Sequence, residues 1–275
     1  LFRTSADILK AARSRTPRMT VKAFAEQSCA HLGDPLCRYV QELLSRLGQP
    51  EHYVELHIFP TRTATKTALQ AELEQLDIPG SLVVPDFATF HEAFAGYPRI
   101  WISSEDADLE DFSSRARLQH EVGHAVLHWE ISSYLLGLPP SLRALVEAGR
   151  LSGGEASAMS YLVSIGVKDF QVSSLLDRFG IREDQEAFYL RELARGEVAE
   201  GKIAVLNEMK VIMAAYPFRK NPAVAAAIDE AVSRLGSCTD LARQVLSRVE
   251  DAGDLDLGEI IEVASRTMAS WMACG

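Results

Sequence analysis

Two histidines four residues apart, with a glutamate beside the first, are the residues of this chain best suited to chemistry: His120-Glu121-Val122-Gly123-His124. On a helix, positions i and i+4 lie one turn apart on the same face, so His120 and His124 can reach one metal ion. Glu121 flanks that face, where it can take a proton from a water activated by the metal. Ordinary residue frequencies produce this five-residue pattern by accident in roughly one per cent of chains of this size. The chemistry it suggests is zinc-assisted hydrolysis. That chemistry needs a helix under the motif, a third ligand and a path for the substrate.

The elements that must position the motif follow from periodicity. Leu118, Val122, Ala125 and Trp129 share one face of an expected helix over residues 112 to 130, with His120, His124 and His128 on the other side. Strand-like alternation occurs at Tyr53 to Phe59, and Thr61 is placed to cap a helix running to about Asp77. Leu82-Val83-Val84 and Arg99 to Ser103 read as two further strands. The first fifty residues read as helices over 5 to 14, 20 to 32 and 36 to 47. Helices are also expected from Ser141 to Ala148, from Ser152 to about Ser164, and over 171–179, 183–194, 197–215, 222–235, 239–250 and 256–272. The spacing of Met209 and Met213 suits core filling.

The expected class is therefore α+β and mostly helical: a small N-terminal sheet packed on the active-site helix, followed by a helical C-terminal region. The expected division is an N-terminal helical segment (1–50), a catalytic core (51–181) and a C-terminal helical domain (182–275).

Composition narrows the partners. A net charge of −10 argues against a whole-surface nucleic-acid binder. The basic residues Arg3, Lys10, Arg13, Arg15, Arg18 and Lys22 read as a solvated helix face. Hydrophobic residues at 47% and charged ones at 24% are ordinary for a globular chain, which excludes a mainly disordered one. No apolar run approaches the ~18 residues of a membrane span. Cys29, Cys37, Cys238 and Cys274 form neither close metal-binding pairs nor a disulfide framework, and the first residues lack the apolar core of a secretion signal. The expectation is a reduced, cytoplasmic protein without membrane partners.

Three candidates compete for the third ligand. His128 follows on the next turn, but three histidines on successive turns of a straight helix span about 12 Å and converge poorly on one ion. It is expected beside the metal or facing the substrate. Glu147 and Glu155 remain, both on later helices. Glu155 has a rival role, because Ser152-Gly153-Gly154-Glu155 fits a capping box.

The run Leu118-Gln119-His120-Glu121-Val122-Gly123-His124-Ala125-Val126-Leu127-His128 resembles the ImmA/IrrE family of zinc metallopeptidases, including the extra histidine. Glu155-Ala156-Ser157-Ala158-Met159-Ser160-Tyr161-Leu162 is similar to the family's third-ligand helix, and Phe170 to Phe179 resembles its Phe-x-Val-Ser segment. The resemblance covers roughly residues 50 to 181. It departs at Leu162-Val163-Ser164-Ile165, which replaces the family's Leu-Leu-Met-Pro.

This resemblance implies Zn2+ held by His120, His124 and Glu155, with Glu121 as the catalytic base of an endopeptidase. It implies a specific protein substrate, typically a helix-turn-helix transcriptional repressor. Oxyanion donors are sought among His128, Tyr134 and Tyr161. Ile100, Trp101, Ile102 and Ser103 are expected to pair with an extended substrate as an added strand. The competing expectation is a regulatory or partner-binding protein that keeps the fold without general protease activity, with Phe170 to Phe179 as part of a helix-turn-helix.

Overall fold

The computed structural model describes residues 20–78, 87–196, 201–253 and 255–272. Four strands form one sheet: β1 (Val21–Ala25), β2 (Val54–Phe59), β3 (Thr89–Glu92) and β4 (Arg99–Ser103), in the spatial order β1-β2-β4-β3. The first three in that order run parallel, and β3 lies antiparallel at the edge. Among the described residues ten helices follow or intervene: α1 (Gly33–Arg46), α2 (Arg62–Gln75), α3 (Phe112–Leu127), α4 (Pro140–Glu147), α5 (Gly153–Arg178), α6 (Glu183–Ala194), α7 (Lys202–Ala215), α8 (Pro222–Arg234), α9 (Thr239–Asp251) and α10 (Leu257–Met272). The α+β class, with a small N-terminal sheet and a helical C-terminal region, is as expected.

Strand alternation sorts side chains into two layers. Val54, Leu56, Ile58, Ile100 and Ile102 point into the main core, where they meet Leu36, Val40 and Leu44 of α1 and Leu118 and Val122 of α3. On the other face Trp101 packs with Leu69 and Leu73 of α2 and with Phe94. Thr61 caps α2 by accepting from the Ala64 amide at 3.1 Å. The main core continues without interruption from Val21 to Met268, and Met209 and Met213 are buried within it.

Several expectations change. Residues 20 to 32 form β1 and a short 3-10 turn, Gln27–Leu32, instead of a helix. Pairing of Val21–Ala25 with β2 overrides local helix propensity there. The helix over 5–14 and the strand at Leu82-Val83-Val84 lie outside the described residues, as do most of the N-terminal basic residues. The edge strand is Thr89–Glu92, whose polar residues hide it from a search for apolar alternation. Its Glu92 is fully buried and accepts from Arg99 Nε (2.6 Å), Trp101 Nε1 (2.9 Å) and the Phe94 amide (2.6 Å). This charge-assisted set ties β3 to β4.

The expected substrate strand is also corrected. Ile100, Trp101, Ile102 and Ser103 are buried, and β4 is paired on both sides, by β2 and by β3. It has no free edge to offer a peptide.

The separate helices expected over 152–164 and 171–179 are one continuous α5. Gly166, in the expected gap, is a close-packing point: a Cβ there would stand 3.1 Å from Met213 Sδ of α7. Phe170, Val172, Leu175 and Leu176 are buried in the main core as the last turns of α5, so this segment is a packing helix rather than an exposed helix-turn-helix piece. Helix α3, which carries the histidine motif, ends at Leu127, earlier than expected, and Trp129 is exposed beyond it. Among the described residues no helix is long and apolar enough to cross a membrane.

Gly123 explains the fourth residue of the motif. A Cβ at this position would stand 2.6 Å from Val172 Cγ1, a β-branched side chain with no room to swing. Gly123→Ala is therefore expected to destabilise the protein by about 1–3 kcal/mol through overpacking. Val172→Ala in the same chain should recover part of that loss. Equilibrium denaturation of the two single variants and the double variant checks this, and strict additivity would contradict the contact.

Candidate metal centre

Asp111 starts α3 by accepting from the Ser114 amide at 2.9 Å, and the helix then presents His120, Glu121 and His124 toward a cleft of about 820 Å³. Its opposite face is pinned by polar contacts as well as by apolar packing. Gln119 donates to Tyr39 Oη and Asp184, and accepts from Gln185, whose amide also donates to the Ala116 carbonyl.

The third group facing the histidines is Asp169 of α5. His120 Nε2 and His124 Nε2 are 3.1 Å apart, and Asp169 Oδ1 lies 3.3 Å from the first and 3.2 Å from the second. Ligands about 2.0–2.1 Å from a tetrahedral ion are separated from one another by roughly 3.3–3.4 Å. The triangle therefore has the size a divalent ion requires. Two imidazole nitrogens and a carboxylate oxygen aiming lone pairs at one point repel each other unless a cation or proton lies between them. The three are partly accessible to solvent, at 18%, 13% and 16% of their side-chain surface. Among the described residues this is the group that could hold a metal ion.

Glu155 is not part of it. The structure places Glu155 in the capping box of α5: its carboxylate accepts from the Ser152 amide at 2.9 Å and the Ser152 hydroxyl at 2.7 Å, while its amide donates back to Ser152 Oγ. Those bonds hold its carboxyl below the usual range. Glu147 is exposed at the end of α4. Asp169 escaped the sequence reading because no spacing rule links it to the motif. One signal was present: it is an acid in mid-helix with Ile165, Gly166, Val172 and Ser173 one turn to either side.

His128 lies behind His124 rather than at the cluster. Its Nδ1 is 3.0 Å from His124 Nδ1, and its Nε2 is 3.0 Å from Gln171 Oε1. With Gln171 accepting from His128 Nε2–H, His128 Nδ1 is left to accept from His124 Nδ1–H. That frees the lone pair on His124 Nε2 to face the cluster, which fixes tautomer and ring orientation together.

Glu121 is held against the edge strand. Ser103 N–H bonds to the Ala88 carbonyl, so strand alternation turns the backbone groups of Thr89 and His91 away from β4. The His91 amide donates to Glu121, and Thr89 Oγ1 lies 3.5 Å from its carboxylate. Burial, against a smaller opposing pull from His120, raises the Glu121 carboxyl to about 7. Tyr134 lines the same cleft with its hydroxyl 2.5 Å from His91 Nδ1, and burial pushes that phenol up, so it stays protonated. Tyr161 also lines the cleft and is 44% exposed.

The remaining titratable groups are set by burial and mutual repulsion. Burial lowers the His124 imidazole to about 4 and the His128 imidazole to about 3, and holds His91 well below its ordinary value. At His120 burial pulls down, but Asp169 and Glu121 together outweigh it and the net shift is upward. Asp169 is held well below the carboxylate range by the two histidines despite its burial. Burial lowers the Lys168 ammonium to about 8. A neutral His124 and an ionised Asp169 are the states in which these groups bind metals.

Comparisons with protein-family models, curated proteins and solved structures found no match to this chain.

Two outcomes follow. Asp169→Ala should abolish stoichiometric metal retention whereas Glu155→Ala keeps it, and Gln171→Ala should weaken metal affinity by about 10- to 100-fold, as measured by competition with a chromophoric chelator. Toward pH 5 the unfolded chain carries protons on His91, His124 and His128, which stay neutral when folded, while the folded chain holds protons more tightly than the unfolded one at Glu121 and His120. Three groups against two leave the unfolded state binding more protons, so the metal-free protein loses stability as pH falls from 6.5 to 5. Urea denaturation at the two pH values checks the sign.

Proposed function

We propose that the protein is a zinc-dependent endopeptidase acting on a specific protein substrate. The observation that carries this reading is the convergence of His120, His124 and Asp169 at one point, with Glu121 beside them on the wall of an open cleft. Two imidazoles and one carboxylate form the ligand set of hydrolytic zinc sites that keep a fourth position for water or substrate. Zinc bound there supplies an acidified water and a polarised scissile carbonyl.

The chain's own residues account for the rest. Glu121, with its carboxyl raised to about 7, is suited to accept a proton near neutral pH and to return it to the leaving amine. Tyr134, kept protonated by burial, meets charge developing on the carbonyl oxygen in the tautomer where His91 Nδ1–H donates to its hydroxyl oxygen and leaves the phenol proton free. With the His91 amide held by Glu121, the outward amide and carbonyl of Thr89 and the carbonyl of His91 on edge strand β3 take over the role expected of β4, pairing with an extended peptide and orienting it along the cleft.

The resemblance of residues 50 to 181 to the ImmA/IrrE metallopeptidases supports a narrow substrate such as a transcriptional repressor. An aspartate in place of that family's glutamate ligand is a departure from its pattern.

Glu121→Gln should retain one zinc per chain and lose about 10²- to 10⁴-fold in peptide turnover. The measurement is metal content by atomic emission alongside cleavage of a peptide library. Undiminished cleavage by this variant would remove Glu121 from the chemistry. Purified protein that retains no metal would remove the site.

A further inference from the structure

Among the described residues the cleft contains a cation, Lys168, that has no ion pair. Lys168 is 9% exposed, close to the 3% of Arg99, but the two are treated differently. Arg99 is paired with both Glu72 and Glu92 at 2.6 Å. Among the described residues no carboxylate lies within 4.0 Å of the Lys168 ammonium, whose close neighbour is the face of the Tyr134 ring at 4.3 Å. A buried unpaired charge is costly and uncommon, so a cation left this way on the wall of a cleft points to a partner from outside.

The acids of the cleft are committed elsewhere. Asp169, one residue along the helix and so turned about 100° away, faces His120 and His124. Glu121 is bound by the His91 amide, and Glu192 pairs with Arg195 and Arg191. The Tyr134 ring under Lys168 meets His91 through its hydroxyl, and His91 stacks on His124 with ring centroids 6.0 Å apart, which puts Lys168 on the His124 side of the cluster. Lys210 of α7, half-buried and also without an ion pair among the described residues, lines the cleft as well. Tyr134 is held by His91, so the aromatic plate under the ammonium is fixed in advance.

We propose that Lys168 anchors a carboxylate carried by the substrate, so that the cleft selects peptides with an acidic side chain or a free C-terminus close to the scissile bond. This rests on the peptidase reading. An ammonium over an aromatic plate suits a single compact anion, and carboxylates are the anions that peptides carry.

The test uses the zinc-loaded protein with Lys168→Met and Lys168→Gln, each first checked for bound zinc. A peptide library is digested and the cut sites are read by mass spectrometry. Pairs differing by Glu or Gln near the cut, and by a free or amidated C-terminus, then separate the two carboxylate sources. A charge-assisted contact in a buried setting predicts a preference of about 10- to 100-fold for the acidic or free-ended member of one pair. In both variants this ratio should fall toward one. A second readout needs no turnover: fluorescence anisotropy of the same labelled pairs on zinc-loaded Glu121→Gln should show the same preference, and adding Lys168→Met should erase it. An unchanged ratio in both variants overturns the proposal, as does equal loss on acidic and neutral peptides. Metal-free protein that cuts nothing is instead the failure of the peptidase reading.

Discussion

The close crossing of α3 and α5 at Gly123 and Val172 is the contact on which the candidate site depends. Gly123 lies one residue before His124 and one turn after His120, and Val172 lies one turn after Asp169. Because residues three or four apart share a helix face, the point where the two backbones touch is also the point where the three donors meet. A 2.6 Å clearance to a Cβ that is not there means the helices are as near as they can come. An extra methyl would push Asp169 outward as well as strain the core. The glycine of the motif is thus a spacing device for a short acidic side chain. An aspartate is one methylene shorter than a glutamate, and it reaches the histidines because the helix carrying it lies this close.

The electrostatics follow from the same crossing. Bringing Asp169 under two imidazoles keeps it ionised despite its burial, and burial keeps His124 neutral. Glu121 receives only the His91 amide and a distant hydroxyl, so burial dominates and its proton is held to near neutrality. Two carboxylates beside the same histidine, His120, therefore diverge in acidity because their partners differ. That separation is the usual mark of an acid–base group set beside a ligand. The edge strand supplies the amide that steadies Glu121, and the buried Glu92–Arg99 pair holds that strand in register.

The legible parts of the chain were those where one local rule suffices. The α3 histidines, the Thr61 cap, β2 and the C-terminal helices 183–194, 222–234 and 239–251 all follow from periodicity or end signals within a few residues. The capping box at Ser152 and Glu155 was equally local, and it is formed. The resemblance favoured Glu155 as a ligand, whereas the geometry supports its local role. What stayed hidden depends on distant pairing. The β1 segment becomes a strand because β2 is there to receive it, and β3 is a strand despite a polar sequence because Arg99 and Trp101 satisfy its buried glutamate. Asp169 becomes a ligand candidate only through a helix crossing that no spacing encodes.

The C-terminal helices, unmatched by any motif, are part of this arrangement. Met213 of α7 packs against Gly166 of α5, and Lys210 and Val211 of the same helix line the cleft. Gly166 stands one turn before Asp169 and about 120° round the helix from Val172, so α7 braces α5 on a face other than the one that meets α3. Asp169 is thereby clamped between two close helix contacts, one at each glycine. The chain beyond α5 consequently bears on the site twice, as a wall of the cleft and as the support that keeps the short carboxylate in reach of the histidines.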